Sequence, residues 1–154
     1  MSFEEKLMKL GIHIPDAPRP VAAYIPAVLA GSFVYASGQL PVADGQLKFA
    51  GKLDRDLTTT EGYQAARLCA INCLAAIKGV IGSLDNIVRV VKVTGFVNST
   101  AGFTQQPQVI NGASELIGDI FGEMGKHARS AVGVSDLPLN AAEEVEIIVE
   151  ARPC

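Results

Sequence analysis

The chain has 154 residues, which is the length of one domain and leaves no room for a second. Apolar residues make up 49% of the sequence and charged residues only 19%; because no stretch approaches the ~20 apolar residues of a membrane-spanning helix, this excess predicts a water-soluble oligomer without a membrane partner. The net charge is −3 and the 13 basic residues are scattered, which argues against a nucleic-acid partner.

Residues 1–19 predict a short N-terminal helix and an extended lead-in. Ser2 can cap this helix and Gly11 can end it, and three prolines then hold the chain extended. The first residues are acidic and lack the apolar core of a signal peptide, which predicts a cytoplasmic protein. Residues 20–154 are predicted to form the single domain.

Three strands are predicted in the first half of the domain. The runs 21–29 and 33–40 flank Ala30-Gly31-Ser32 and have the pattern of a hairpin. A turn at 43–46 leads to a third strand, 47–53, which would complete a three-stranded meander.

A long helix and a strand follow. Thr58 and Glu61 have the spacing of a capping box, and Gly82 is placed to end the helix. The strand predicted at 86–98 is apolar on both sides, so a layer of protein must pack on each face of the sheet there. The two predicted faces carry Val91, Val93 and Val97, and Val88, Val90 and Phe96.

The last third predicts a helix at 108–122 and strands at 129–136 and 144–151. The fold class is therefore α+β in the order βββ-α-β-α-ββ, a six-stranded mixed sheet with two helices on one face. Because two helices cover one face only, the other face is expected to pack against further copies in a closed oligomer.

Three cysteines are too few for a disulfide framework, and their odd number points the same way. Cys69 and Cys73 stand four residues apart on the predicted helix and could hold a metal, but no second Cys/His pair has ligand spacing. Small buried thiols are the favoured interpretation, and no metal site is predicted.

Four segments in unbroken order resemble the reactive intermediate deaminase family (RidA, also called YjgF-like). They are Phe33–Pro41 with Ser37-Gly38-Gln39 at its centre, Phe96-Val97-Asn98, Ala128–Val132, and Leu137-Pro138 followed by Val145-Glu146-Ile147. The resemblance covers about residues 20–151. It implies a chorismate-mutase-like fold, a homotrimer with a central barrel of sheets, and three clefts between subunits. It also implies hydrolysis of reactive enamines and imines to 2-keto acids and ammonia, with no cofactor.

The resemblance assigns two residues to catalysis. Arg129 matches the family arginine that binds the substrate carboxylate, and a guanidinium suits this role because it offers two parallel donors. Glu146 matches the glutamate of the final strand, which in this family is credited with holding or activating the attacking water. A partly buried carboxylate can have its pKa raised into a useful range.

Four further residues are assigned to substrate binding. Tyr24 matches a tyrosine of the cleft wall, Gly38 would let the backbone approach the ligand, and Asn111 matches an asparagine of the second helix. Ala131 stands where many members have cysteine, serine or threonine. Ile25-Pro26 also replaces the usual Ser-Gln, so the chain resembles a divergent subgroup with its own ligand.

The same residues also have ordinary interpretations. An arginine or glutamate of a strand is commonly a solvated side chain, Tyr24 could pack an interface, and Gly38 could serve a bulge. His127 is interpreted as an incidental loop residue. Two other functions stay open: a non-catalytic binding module for small carboxylates, which Ala131 favours, and a single-strand ribonuclease or translation inhibitor, which the charge pattern does not favour.

Overall fold

A computed structural model describes residues 1–20 and 23–153. The elements, in chain order, are α1 (Phe3–Leu10), β1 (Ala27–Ala30), β2 (Phe33–Ala36), β3 (Val42–Ala43), β4 (Gln46–Leu47), α2 (Thr59–Ile81), β5 (Ile87–Asn98), α3 (Gln106–Phe121), β6 (Ala128–Val134) and β7 (Glu143–Ala151). Short 3-10 turns lie at 84–86, 122–125 and 138–140.

The main sheet has five strands in the spatial order β1-β2-β7-β5-β6. Strands β5 and β6 are parallel, and the other neighbours are antiparallel, so the sheet is mixed as predicted. Strands β1 and β6 form its two edges. The predicted first strand, 21–29, corresponds to β1, but Val21 and Ala22 lie outside the described residues.

The prediction of a strand at 47–53, the third in chain order, is wrong, so the main sheet has five strands and not six. Asp44 and Gly45 both have positive φ, 53° and 72°, and form a tight turn that closes a separate two-stranded hairpin of β3 and β4. Beyond it, Gly51 has φ 116°, and Ala50 and Leu53 make only isolated bridges, to Ala141 and Ser99. Leu53 is fully buried and its amide donates to the Asn98 carbonyl at 2.8 Å, so this residue fixes a loop to the end of β5.

The three helices begin and end close to the predicted positions. Ser2 and Thr58 each accept from the backbone of a glutamate three residues later in reciprocal capping boxes, and Gly82 ends α2. Phe3 stacks edge-on against Phe121 with ring centroids 4.7 Å apart, which joins α1 to α3.

Helix α2 is the core helix of the molecule. Within the described residues it alone has the length and hydropathy of a membrane-spanning helix, but 56% of its apolar window is buried against protein. Cys69 and Cys73 are fully buried on it, and their thiols lie 3.7 and 3.1 Å from the carbonyls of Glu143 and Val145 in β7. This burial confirms the prediction of small buried side chains, and it raises the pKa of both thiols.

The predicted faces of β5 change at its N-terminal half. Val90 pairs with Val149 and Lys92 with Ile148, so Val91 is an extra residue in a β-bulge. Val90 therefore faces the helices together with Val93 and Val97, and all three are fully buried. The prediction that Val91 shares this face is wrong because the bulge breaks the alternation.

The face of the sheet opposite the helices is open in the single chain. Its exposed apolar side chains are those of Val28, Phe33, Tyr35 and Val132. Glutamates of β7 interrupt them, because Glu144, Glu146 and Glu150 alternate with the buried residues of that strand. The open face is therefore mixed and less apolar than the sequence predicts.

Candidate functional site

Arg129 lies near the start of the edge strand β6, where it pairs with Val93 of β5. Its side chain extends over α3 and not over the open face. The guanidinium Nη1 donates to Asn111 Oδ1 at 2.8 Å and to Ser114 Oγ at 3.1 Å. Asn111 and Ser114 are three apart and so share one face of α3. The structure thus brings together two of the predicted residues, Arg129 and Asn111.

The other edge of this guanidinium, formed by Nε and Nη2, differs from the Nη1 end. Within the part of the chain that the structure describes, no hydrogen bond engages Arg129 Nε or Nη2, and the side chain is only partly buried. Nε and Nη2 carry the two parallel N–H groups that match a carboxylate. Arg129 is therefore anchored at one end and open to an anion at the other.

His127 extends this cluster. Its Nδ1 lies 2.6 Å from the Gly125 carbonyl and its Nε2 lies 2.9 Å from Ser114 Oγ. Burial lowers the pKa of His127; the bond to the Gly125 carbonyl opposes this, and the charge of Arg129 adds a smaller lowering. The shift favours the neutral imidazole. We call His127, Arg129, Asn111 and Ser114 the arginine half-site.

Ala131 follows Arg129 by two residues and lies on the same face of β6. It is partly buried and packs against the hydrophobic core. A methyl group neither donates nor accepts a hydrogen bond, so the position contributes shape alone.

A second group of predicted residues lies around the end of β2. Ser37 joins this segment to the residues after Tyr24: its Oγ donates to the Ile25 carbonyl and its amide to the Pro26 carbonyl, both at 2.7 Å. The Tyr24 side chain is 58% exposed. It is thus free to contact something outside its own chain.

Gly38 lies directly against the side chain of Glu144, so that an added Cβ there would collide with the carboxyl group. Burial and the nearby Glu146 raise the pKa of Glu144. Glu146 is exposed on the open face, where it pairs across the sheet with Thr94. We call Tyr24, Gly38, Glu144 and Glu146 the glycine half-site.

The two half-sites do not meet within one chain. The arginine half-site lies at β6 and on α3. Tyr24 precedes β1, which is the opposite edge of the sheet, four interstrand spacings or roughly 19 Å from β6. Gly38 follows β2, and Glu144 and Glu146 belong to β7, which is two spacings or roughly 10 Å from β6. Glu146 also points away from the helix face that carries Arg129.

Comparison with known proteins identifies the family. A family profile described as "YjgF/chorismate_mutase-like, putative endoribonuclease" matches residues 4–151. Protein TCP17 of Trypanosoma cruzi is 47% identical over 145 residues, which cover 94% of this chain and 91% of that protein. The chain belongs to the YjgF family. The crystal structure of Atu1372 from Agrobacterium tumefaciens, a protein of unknown function, agrees with this: it is 44% identical with a TM-score of 0.91, and the match covers 97% of this chain and 92% of that one.

Membership of the YjgF family confirms the resemblance and the chorismate-mutase-like α+β fold. The family includes a 2-iminobutanoate/2-iminopropanoate deaminase of Dermatophagoides farinae, which is 30% identical over 138 residues, 90% of this chain and 93% of that protein. The family description itself also contains the word endoribonuclease. Relatives with this fold therefore carry at least two functional names.

This YjgF-family chain also has an open cavity of about 590 Å³ at the C-terminal ends of β5 and β6. Arg129 does not line it. Its two cations have protein partners: Lys52 contacts Asn98 Oδ1 at 2.8 Å and Asp136 at 3.4 Å, and Arg55 pairs with Asp56 at 2.9 Å. We assign no ligand to this cavity.

Sequence reasoning missed Ser114 and set His127 aside. Two signals were available. Ser114 follows Asn111 by three residues on a helix, and His127 precedes Arg129 by two residues on an extended chain. Each spacing places its residue on the same face as a predicted site residue. His127 is hydrogen-bonded to Ser114 and to the Gly125 carbonyl, so the structure places it in the cluster with Arg129.

Proposed function

We propose that this protein hydrolyses reactive 2-imino and enamine acids to 2-keto acids and ammonia, and that Arg129 binds the substrate carboxylate. The observation that carries this proposal is the open Nε–Nη2 edge of a guanidinium whose Nη1 is held by Asn111 and Ser114. A fixed fork binds a planar carboxylate in one orientation, and less side-chain entropy is lost on binding. The relative named as an imine deaminase supports the choice of substrate class.

The separation of the half-sites supports a homotrimer with its sites between subunits. A neighbouring copy would bring its glycine half-site to the arginine half-site. A single chain cannot do so, because Tyr24 lies near the far edge of the sheet and Glu146 faces away from Arg129. Packing of copies would also cover the exposed Phe33, Tyr35 and Val132. In this assembly Tyr24 forms a wall of the cleft.

The chemistry needs little beyond positioning. A protonated imine is already electrophilic. Fixing its carboxylate against Arg129 beside one bound water therefore removes much of the barrier to hydrolysis. Glu146 is exposed on its own chain and available to hold that water from the facing subunit. The proposed hydrolysis uses no cofactor.

Replacement of Arg129 by alanine tests the proposal. We expect keto-acid release from 2-iminobutanoate, generated in the assay by an L-amino-acid oxidase, to fall about 100-fold or more, because two charge-assisted hydrogen bonds are lost. Arg129→Lys keeps the charge but lacks the paired N–H groups, so its rate of keto-acid release should lie between those of wild type and Arg129→Ala. Arg55→Ala is the matched control, because Arg55 is exposed and pairs with Asp56. Equal rates for wild type and Arg129→Ala would refute the proposed function.

Ala131 favours a second candidate, a binding module for small carboxylates without turnover. A methyl group replaces the thiol or hydroxyl that many members have there, so one polar contact to a reacting group is missing. Thermal stabilisation by 2-oxobutanoate that Arg129→Ala abolishes, with no imine hydrolysis by wild type, would select this candidate. RNA cleavage is disfavoured, because the net charge is −3 and glutamates line the open face.

A further inference from the structure

The hydrogen bonds of His127 give the hydroxyl of Ser114 a direction. The Gly125 carbonyl can only accept a hydrogen bond, so His127 Nδ1, which lies 2.6 Å from it, carries the proton. The Nε2 of the neutral imidazole is then an acceptor, and Ser114 Oγ donates to it over 2.9 Å. The lone pairs of this oxygen are therefore left to accept from Arg129 Nη1 at 3.1 Å.

A serine within a helix has another use for its hydroxyl proton. It can donate to the backbone carbonyl four residues earlier, which for Ser114 is the carbonyl of Ile110. That bond would hold Oγ against the backbone of α3. His127 stands just before β6 and competes for the same proton, so its Nε2 holds the hydroxyl on the side of the helix that meets Arg129.

The orientation of Ser114 matters because it is one of two supports of the guanidinium. Arg129 Nη1 carries two N–H groups, of which Asn111 Oδ1 accepts one at 2.8 Å and Ser114 Oγ the other. Two acceptors fix the plane of the group, whereas one alone would let it turn about the remaining hydrogen bond. Because a guanidinium is rigid, these two bonds also set the direction of its Nε–Nη2 edge.

The imidazole is itself fixed to the helix that it supports. Gly125, whose carbonyl orients His127, lies so close to α3 that an added Cβ would be 2.8 Å from the Ile117 carbonyl. The acceptor for Nδ1 is thus held against the helix that carries Asn111 and Ser114. The His127 ring is also partly buried, which limits its alternative orientations.

We propose that His127 is a positioning residue for Arg129: its Nε2 holds the Ser114 hydroxyl in the orientation that directs the Nε–Nη2 edge toward a carboxylate. His127 lies at the Nη1 end and acts only through these two residues. This inference rests on the carboxylate binding in the proposed function and deepens it. It applies equally to 2-imino acids and to the 2-keto acids that they yield, so it can be measured by binding alone.

His127→Leu and His127→Gln test the proposal, with His13→Leu as the matched control, because His13 is exposed and is the other histidine of the chain. Leucine has no acceptor, whereas glutamine Oε1 can accept from Ser114 in place of Nε2. We expect the Kd for 2-oxobutanoate, measured by titration calorimetry, to rise about fivefold or more in His127→Leu. It should stay within about twofold of wild type in His127→Gln and in His13→Leu. An unchanged Kd in His127→Leu, or an equal rise in both His127 variants, would overturn the proposal.

A double variant shows whether His127 acts through Ser114. Ser114→Ala should raise the Kd for 2-oxobutanoate at least as far as His127→Leu does, because it removes one support of Nη1 altogether. Adding His127→Leu to Ser114→Ala should then change the Kd by less than about twofold, since the two residues act in series. Independent, multiplying losses would contradict the proposed route.

Nitrogen NMR of the imidazole tests the same hydrogen bonds in the wild-type protein, so no variant has to fold. At about pH 8, where histidine is neutral, His127 should carry its proton on Nδ1 and none on Nε2. A proton on Nε2 would overturn the proposal. The proposed function fails differently: a wild-type protein that shows these binding effects but releases no keto acid would refute the hydrolysis and leave the role of His127 standing. A wild-type protein that does not bind 2-oxobutanoate would overturn both.

Discussion

Glu143→Gln is expected to remove most of a loss of stability that the wild-type protein undergoes as the pH rises from about 5 to 9. Both carboxyl oxygens of Glu143 are buried without a hydrogen-bond partner among the described residues. Burial raises the pKa of Glu143 to about 9 from an ordinary 4.5. The folded protein thus holds a proton that the unfolded chain releases above 4.5.

The sign follows from proton counting. Between pH 4.5 and 9 the folded state binds more protons than the unfolded state, so the free energy of unfolding decreases with pH and levels off above 9. The gap between the two pKa values corresponds to roughly 6 kcal/mol at most. Urea unfolding at one protein concentration, measured at several pH values, would record it. Glu150→Gln on the same strand is the control and should retain the slope; parallel profiles for wild type and Glu143→Gln would contradict the prediction.

Gly112→Ala is expected to destabilise the protein by about 3 kcal/mol, because α2 and α3 touch at this residue. A Cβ at position 112 would collide with the main-chain carbonyl of Tyr63 in α2, and a backbone atom cannot move aside as a side chain can. The helices would have to separate. Since Asn111 and Ser114 are close neighbours on α3, their hydrogen bonds to Arg129 should weaken as well.

The control for this change lies on the same helix. A Cβ at Gly118 would have no neighbour within 4 Å, so Gly118→Ala should stabilise the protein by up to about 1 kcal/mol through helix propensity alone. Thermal unfolding of the two variants should shift in opposite directions. Equal shifts would show that the contact between Gly112 and Tyr63 does not limit the approach of the helices.

Local signals were enough for most of the fold. Thr58 and Glu61 marked the start of α2 and Gly82 its end, because capping chemistry depends on neighbours in sequence. The bulge at Val91 and the turn at Gly51 could not be predicted, since the first depends on pairing with β7 and the second on a loop that docks onto β5. Both are set by residues distant in sequence.

The site divides in the same way. Arg129 was found through its motif, but its partners on α3 depend on how that helix packs over β6. Glu143 stands just before the strand predicted at 144–151, and the sequence assigns it no role. Alternation along β7 instead turns Glu143 inward beneath α2, where an apolar residue would be expected.

The anchoring of Arg129 within its own chain has a consequence for how such a protein can change over time. Asn111 and Ser114 hold the guanidinium without help from β1 or from Tyr24. In the proposed cleft between subunits, substitutions around Ile25 and Pro26 would therefore reshape the opposing wall and leave these two hydrogen bonds to Arg129 in place. A lineage could acquire new substrates by altering one side of the cleft, and every one of them would still be an acid.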